Sequence, residues 1–415
     1  MRILLSAYAC APHVGSEPGI GWGVALELAK RHTVWVLTRA NNRPEHERAF
    51  SETPRPMNLH FIYYDLPGWL SFWKRGARGW RLYYWLWQLG SVRTVRRLLR
   101  SEEIDLCQHI TIGMDYMPSG LALIHKPFLW GPVGSENIHP DIHSSLPLGE
   151  RMGEWRRILL RFLARYCDPF VWLTRARADL ILCFTSTESR ARSFYLRSAP
   201  KVIPVVQTGL EIGTGRAPAE PAAPPQPFTV VFAGRLVHWK GALLAAEAFA
   251  VFASRVKGAR LLVIGEGPLR GAMEQTFRTA AVEDRVEFTG TVPPEILMQR
   301  LRTSDVFLYP AFRHGLATVC LQAMASGLPV VCLRDGPIGE AVGSECGVTI
   351  PVTAPELPAA LGAALALLHD DPEHRARLAQ NAIARIQRDY SYQAVVQRWE
   401  PLYEKVVMKP LGSTA

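Results

Sequence analysis

The sequence predicts an α/β chain built from two doubly wound, parallel-stranded domains. Three observations carry that expectation. Short apolar runs alternate with longer stretches of helical period along the whole chain, the pattern of parallel strands wrapped by helices. At 415 residues the chain is too long for one compact core. The pattern is interrupted once, at residues 217–227, by a Pro- and Ala-rich stretch with Pro218, Pro221, Pro224, Pro225 and Pro227. Proline neither donates to a ladder nor continues a helix, so this stretch is a linker.

The elements follow in order. Before the linker, strands are expected at residues 3–7, 34–38, 59–63, 106–110, 128–130, 180–184 and 202–204. Helices are expected at 21–30, 80–100, 151–177 and 186–196. After it, strands are expected at 228–233, 261–264, 286–289, 306–309, 330–333 and 348–350, with final helices at 355–368, 373–388 and 392–407. This divides the chain into a first domain over residues 1–208, a second over 209–391 hinged near Gly209, and a terminal segment, 392–415. In chains that resemble this two-domain plan the last helix usually crosses back to the first domain, and Trp399 and Tyr403 are the candidate apolar anchors for that return. There is no internal repeat and no heptad.

Composition narrows the function classes. Hydrophobic content of 48% with 20% charged residues fits a folded chain, not a disordered one. The seven cysteines are scattered and form no C-x2-C pair, which points to reduced thiols in a cytoplasmic protein, with neither a zinc site nor a disulfide framework. The N-terminus runs straight into a strand pattern, without the hydrophobic core of a signal peptide. The charge-free run 315–333 contains Gln322, Ser326 and a Gly327-Leu328-Pro329 break, so it reads as helix-turn-strand and no transmembrane helix is expected. A net charge of +10 suits nucleic acid, anionic lipid or phosphorylated substrates, and composition alone does not choose. No nucleic-acid-binding module is recognisable.

The richest segment runs from Tyr309 to Val330. An apolar strand enters a loop, a helix begins near Ala317 or Thr318, and Gly327 stops it. Such a unit points backbone N–H groups at whatever sits above the sheet, which suits a diphosphate. The segment resembles the donor-binding signature of retaining glycosyltransferases with two Rossmann-like domains, the GT-B fold, family 4. That resemblance implies an interdomain cleft, donor contacts along His314, Gly315, Leu316, Ala317 and Thr318, and an E-x7-E pair whose positions hold His314 and Gln322 here. Gln322 keeps the shape of Glu but loses charge-assisted bonding, roughly 1–2 kcal/mol of binding. His314 can bond a sugar hydroxyl but supplies no fixed negative charge.

Other motifs fall at corresponding places. Gly234 to Gly241 follows a strand and holds Arg235 and Lys240, two cations at a sheet's carboxyl edge. They resemble the family's phosphate clamp, which implies a role in transfer as well as donor binding. The turn Gly265-Glu266-Gly267 reads either as a contact near the nucleotide base or as a plain strand-to-helix turn. In the first half, Gly15 to Gly21 resembles the family's glycine loop, with Gly19 as the close contact, and His109 matches a histidine near the donor-acceptor junction. Trp130 to Gly134 resembles a loop of one subgroup, with Ser135-Glu136-Asn137 replacing its Gly-rich continuation. Residues 69–100, Trp69 to Arg100, mix aromatics and arginines without any acid; this suits either an interfacial helix on an anionic membrane surface or a helix with an aromatic core face.

The resemblance implies sugar transfer from a nucleotide diphosphate sugar, the donor substrate, to a lipid-linked glycan acceptor in bacterial surface polysaccharide synthesis. No D-x-D string is present, so no metal and no other cofactor is expected. Two alternatives stay open: a nucleotide-sugar-binding relative impaired at His314 and Gln322, and an epimerase acting on the nucleotide sugar itself.

Overall fold

The computed structural model describes residues 1–12, 17–76, 78–134, 148–184, 201–206, 209–210, 227–312 and 317–408. The chain divides into two compact units. The first comprises Met1–Ser135, Met152–Gly209 and Tyr392–Ala415, the second Glu136–Arg151 and Leu210–Ser391.

The first unit holds a parallel sheet of β1 (Arg2–Ser6), β2 (Thr33–Arg39), β3 (Leu59–Tyr64), β4 (Leu106–His109), β5 (Phe128–Val133), β6 (Leu180–Cys183) and β7 (Val202–Pro204), in the order β3-β2-β1-β4-β5-β6-β7. Helices cover both faces, so the strands are near-continuous apolar runs. Successive residues of β1 serve opposite cores, as the two-residue strand period requires. Leu4 joins Trp35, Tyr84, Trp87 and Trp130 on one face. Ile3 and Leu5 join Val34, Val36, Trp399 and Tyr403 on the other. The last two come from the helix Tyr392–Val407, and the Tyr403 hydroxyl donates to Gln108 Oε1 at 2.5 Å.

The second unit repeats the plan. Its sheet is parallel, with β8 (Thr229–Ala233), β9 (Arg260–Ile264), β10 (Val286–Gly290), β11 (Val306–Tyr309), β12 (Val330–Leu333) and β13 (Gly347–Ile350) in the order β10-β9-β8-β11-β12-β13. In both sheets the chain starts centrally, winds to one side, then crosses over and winds to the other. The reversal leaves a crevice at the carboxyl ends, between β1 and β4 in one unit and between β8 and β11 in the other, where open α/β sheets bind ligands.

One helix differs from expectation, and one reading left open is narrowed. The single helix over 151–177 is two helices, Leu148–Cys167 and Pro169–Arg177. The break lies at Asp168-Pro169: proline cannot supply the helical N–H, and the Asp168 carboxylate caps the second helix by accepting from Phe170 N at 2.8 Å. Next, the aromatic face of Trp80–Ser101 is a core face. Tyr83, Tyr84 and Trp87 are buried, so this helix does not offer them to a lipid surface. β5 also runs on to Val133. The helix expected at 186–196 and linker residues 217–226 lie outside the described residues. No described helix is long and apolar enough to cross a membrane. All seven cysteines are free, six buried and Cys167 exposed.

Candidate functional site

In the second unit, the turns after β8 and β9 are joined by backbone bonds. Gly234 N donates to the Ile264 carbonyl at 2.9 Å and Leu236 N to the Glu266 carbonyl at 3.0 Å. Gly265 has φ +133°, and a Cβ there would collide with the Gly234 carbonyl oxygen. Glycine is therefore a steric requirement at this position. The chain then makes a single turn, His238–Lys240, and Gly241 at φ +71° opens the helix Ala242–Arg255. A Cβ on Gly241 would collide with the Pro310 carbonyl oxygen.

That close approach ties the loop after β8 to the loop after β11. Phe312 N donates to the Trp239 carbonyl at 3.1 Å. The Lys240 ammonium stands over the Tyr309 ring, 5.6 Å from its centroid, a cation–π contact that holds the charge at the crevice. Lys240 is half-buried and Arg235 exposed. The helix Thr318–Ala325 starts beyond Ala317, whose side chain cannot cap it. Its first-turn N–H groups thus receive no carboxylate or hydroxyl from the usual capping position. Gln322 lies one turn along, half-buried. His314, Gly315 and Leu316 lie outside the described residues. The Glu266 carboxylate pairs with Arg270 at 2.8 Å, both about half-exposed, a contact worth little to stability.

In the first unit, Gly15 and Ser16 lie outside the described residues, while Gly19 stands in the first turn of the helix Glu17–Ala29. The Gly19 carbonyl accepts from the Tyr392 hydroxyl at 2.8 Å. Glu17 accepts from Gly113 N at 2.9 Å, fixing the helix start to the loop beyond β4. His109 ends β4 beside Ser6 of β1. It is fully buried, with Nε2 3.4 Å from the Tyr84 hydroxyl. Burial pushes its pKa down to about 4, against the upward pull of the Thr111 and Ile112 backbone, so the ring is neutral at ordinary pH.

Sequence reasoning missed a cluster at the same edge. Arg39, ending β2, donates to Asp65 just beyond β3 at 3.0 Å, and the Tyr83 hydroxyl donates to the same carboxylate oxygen at 2.7 Å. The guanidinium lies 5.3 Å from the Tyr8 ring centroid and 5.2 Å from that of Tyr83. Burial and Asp65 together push the Tyr83 phenol up to about 12. The available signal was positional: each of Tyr8, Arg39 and Asp65 sits at or just past the carboxyl end of a strand.

Comparison with known proteins agrees with this architecture. Residues 215–385 match the family described as Glycosyl transferases group 1. The D-inositol 3-phosphate glycosyltransferase of Corynebacterium efficiens is 30% identical over 244 residues, covering 55% of this chain and 57% of the relative. The chain spans about half the length of the curated relatives it matches. Among solved structures, sucrose-phosphate synthase from Thermosynechococcus elongatus superposes with a TM-score of 0.64 at 16% identity over 98% of each chain. Anabaena Alr3699/HepE, in complex with UDP and glucose, gives 0.59 at 15% identity over 98% of this chain and 100% of that one. At such identities the structural likeness speaks for the fold alone. Residues 215–385 match a Glycosyl transferases group 1 domain, and the fold is that of the GT-B structures.

Proposed function

We propose that the protein is a retaining glycosyltransferase of the family-4 type. It moves a sugar from a nucleotide diphosphate sugar to a glycan acceptor carried on a lipid, in the synthesis of a bacterial surface polysaccharide at the cytoplasmic face of the membrane. The observation that carries this reading is the fastening of Lys240 over Tyr309 at the strand-order reversal, within the stretch that matches the transferase family.

In this reading Arg235 and Lys240 bind the diphosphate, together with the N–H groups near Thr318. The bond from the anomeric carbon to the diphosphate oxygen breaks. An acceptor hydroxyl forms the new bond on the same face, and its proton passes to the departing phosphate. No side chain need be the nucleophile. His109, buried and neutral, and Glu17, half-buried, position the β4 loop, and the Tyr8–Arg39–Asp65–Tyr83 cluster meets the acceptor. UDP and glucose in the Anabaena relative make UDP-glucose the first donor to try.

The test is transfer from labelled donor to a membrane extract. Lys240→Ala and Arg235→Ala should each slow it by ~10² or more, the scale for losing a transition-state electrostatic partner. An unchanged rate in either variant refutes the role of that cation. A second reading, a nucleotide-sugar-binding protein without turnover, rests on Gln322 standing where the family has Glu. It predicts donor binding with no product, and turnover restored by Glu at positions 314 and 322.

A further inference from the structure

The helix Leu148–Cys167 is built inside out. Residues 154, 161 and 165 share one side of it, at spacings of seven and four. That side packs against the first unit. Arg165 donates to Asp115 at 2.8 Å, and both side chains are nearly buried. The Arg161 guanidinium lies over the Tyr116 ring at 5.8 Å. Glu154 is buried and paired with Arg157. An adjoining face, roughly 100° around the helix, is apolar and turns outward: Trp155 is 61% exposed, Leu159 56%, Phe162 54% and Tyr166 52%. Met152 of the same helix is 72% exposed, and Trp172 of the next helix 59%. A water-facing helix normally places these sets the other way round.

We infer that this outward face is the surface by which the protein sits on an anionic lipid bilayer, its aromatic and aliphatic side chains entering the headgroup boundary. The rim supports lipid over protein. Arg156, on the same helix as the patch, is exposed, as is Arg177 at the end of the next helix. Of the carboxylates on these two helices whose side chains are described, Glu154 is turned inward and Asp168 caps the following helix and accepts from Trp85 Nε1 at 3.0 Å. Basic, aromatic-rich faces of this composition bind anionic interfaces. A second copy of the chain meets the patch less well, because a two-fold contact would set these arginines against their own copies in a molecule of net charge +10. The anchoring groups also matter: Asp115 and Tyr116 lie in the loop that leaves the carboxyl end of β4. The lipid-facing helix is thus braced on the loop beside the proposed acceptor edge. The inference deepens the proposed lipid-linked acceptor and rests on that reading for its purpose.

The test is flotation of the full chain with phosphatidylcholine vesicles, with and without phosphatidylglycerol. Binding is expected to the anionic vesicles and to fall steeply on the neutral ones. Leu159→Glu combined with Phe162→Glu should weaken it by about tenfold or more, through lost insertion and added like charge. Both positions are exposed, so thermal unfolding and UDP binding of this variant should match the wild type. Wild-type protein that fails to float, or a double variant that floats equally well, overturns the inference. So does equal flotation on neutral vesicles, or self-association in sedimentation velocity that the double variant abolishes. Flotation as expected without any nucleotide binding would strike the transfer reading and leave the lipid surface assigned.

Discussion

The two units share one strand order but furnish its reversal point differently. In the second unit the crevice between β8 and β11 is made of backbone: Gly234, Gly241 and Gly265 bring three loops into contact, and Lys240 rests above them. In the first unit the carboxyl edge is made of side chains: His109 and Tyr84 are buried where β1 and β4 part, and Arg39, Asp65, Tyr8 and Tyr83 interlock on the side of β2 and β3. The difference follows from what each material recognises. Backbone N–H groups and cations hold any diphosphate, whatever is attached to it. Interlocked side chains read a particular shape. On the proposed function, the second unit grips the common part of the donor and the first selects the acceptor.

The sharpest way to break this comparison is to put side chains into the backbone-built edge. Gly241→Val forces a β-branched residue to φ +71° and into the Pro310 carbonyl. A loss of about 3 kcal/mol or more is expected, from strain plus displaced packing. Nucleotide binding should fall with it, as read by chemical unfolding and titration. A variant of wild-type stability would show that the loops are not in contact as described.

A second test uses the buried histidine. Its pKa is lowered to about 4 in the fold, and an unfolded histidine titrates near 6.5. Between those values the unfolded chain binds a proton that the folded chain refuses, so stability falls as pH drops from about 6.5 to about 4 and is level above. The full span is on the order of 3 kcal/mol. His109→Phe should flatten most of this acid limb. His46, pushed down by burial and bonded to the Cys10 carbonyl at 2.8 Å, supplies a residual slope of the same sign. An unchanged acid limb in the variant would mean that His109 is not held neutral.

The smallest expected effect sharpens the comparison instead of breaking it. Gln322→Glu should tighten donor binding by about tenfold through a charge-assisted bond to a sugar or ribose hydroxyl, with acceptor KM unchanged. A shift in acceptor KM alone would move Gln322 out of the donor edge.

Much of the fold was legible because buried parallel strands are written as unbroken apolar runs. Val230-Val231-Phe232 and Val306-Phe307-Leu308 need no partner to be recognised. Less local features were not. The Asp168-Pro169 break hides inside a continuing alternation of arginine and aromatic residues, where the proline is the one clear mark. The direction of the helix Leu148–Cys167 was illegible, since amphipathic spacing gives two faces without saying which is inward, and here an inward Asp115 draws Arg165. The Tyr8–Arg39–Asp65 cluster comes from three strand ends far apart in sequence, which only the strand order brings together. Residues 69–100 carry the same lesson in reverse: their aromatics divide, with Trp87 in the core and Trp69 72% exposed.

The central claim is that the backbone-built edge of the second unit holds a diphosphate through Arg235 and Lys240. Equilibrium titration of the full chain with UDP, in the presence of a chelator, tests it most directly when wild type is set beside the Arg235→Ala, Lys240→Ala double variant. Saturable binding that weakens by about 10² in the double variant is predicted, the loss of two charge-assisted contacts. Equal affinity in the two proteins would contradict it.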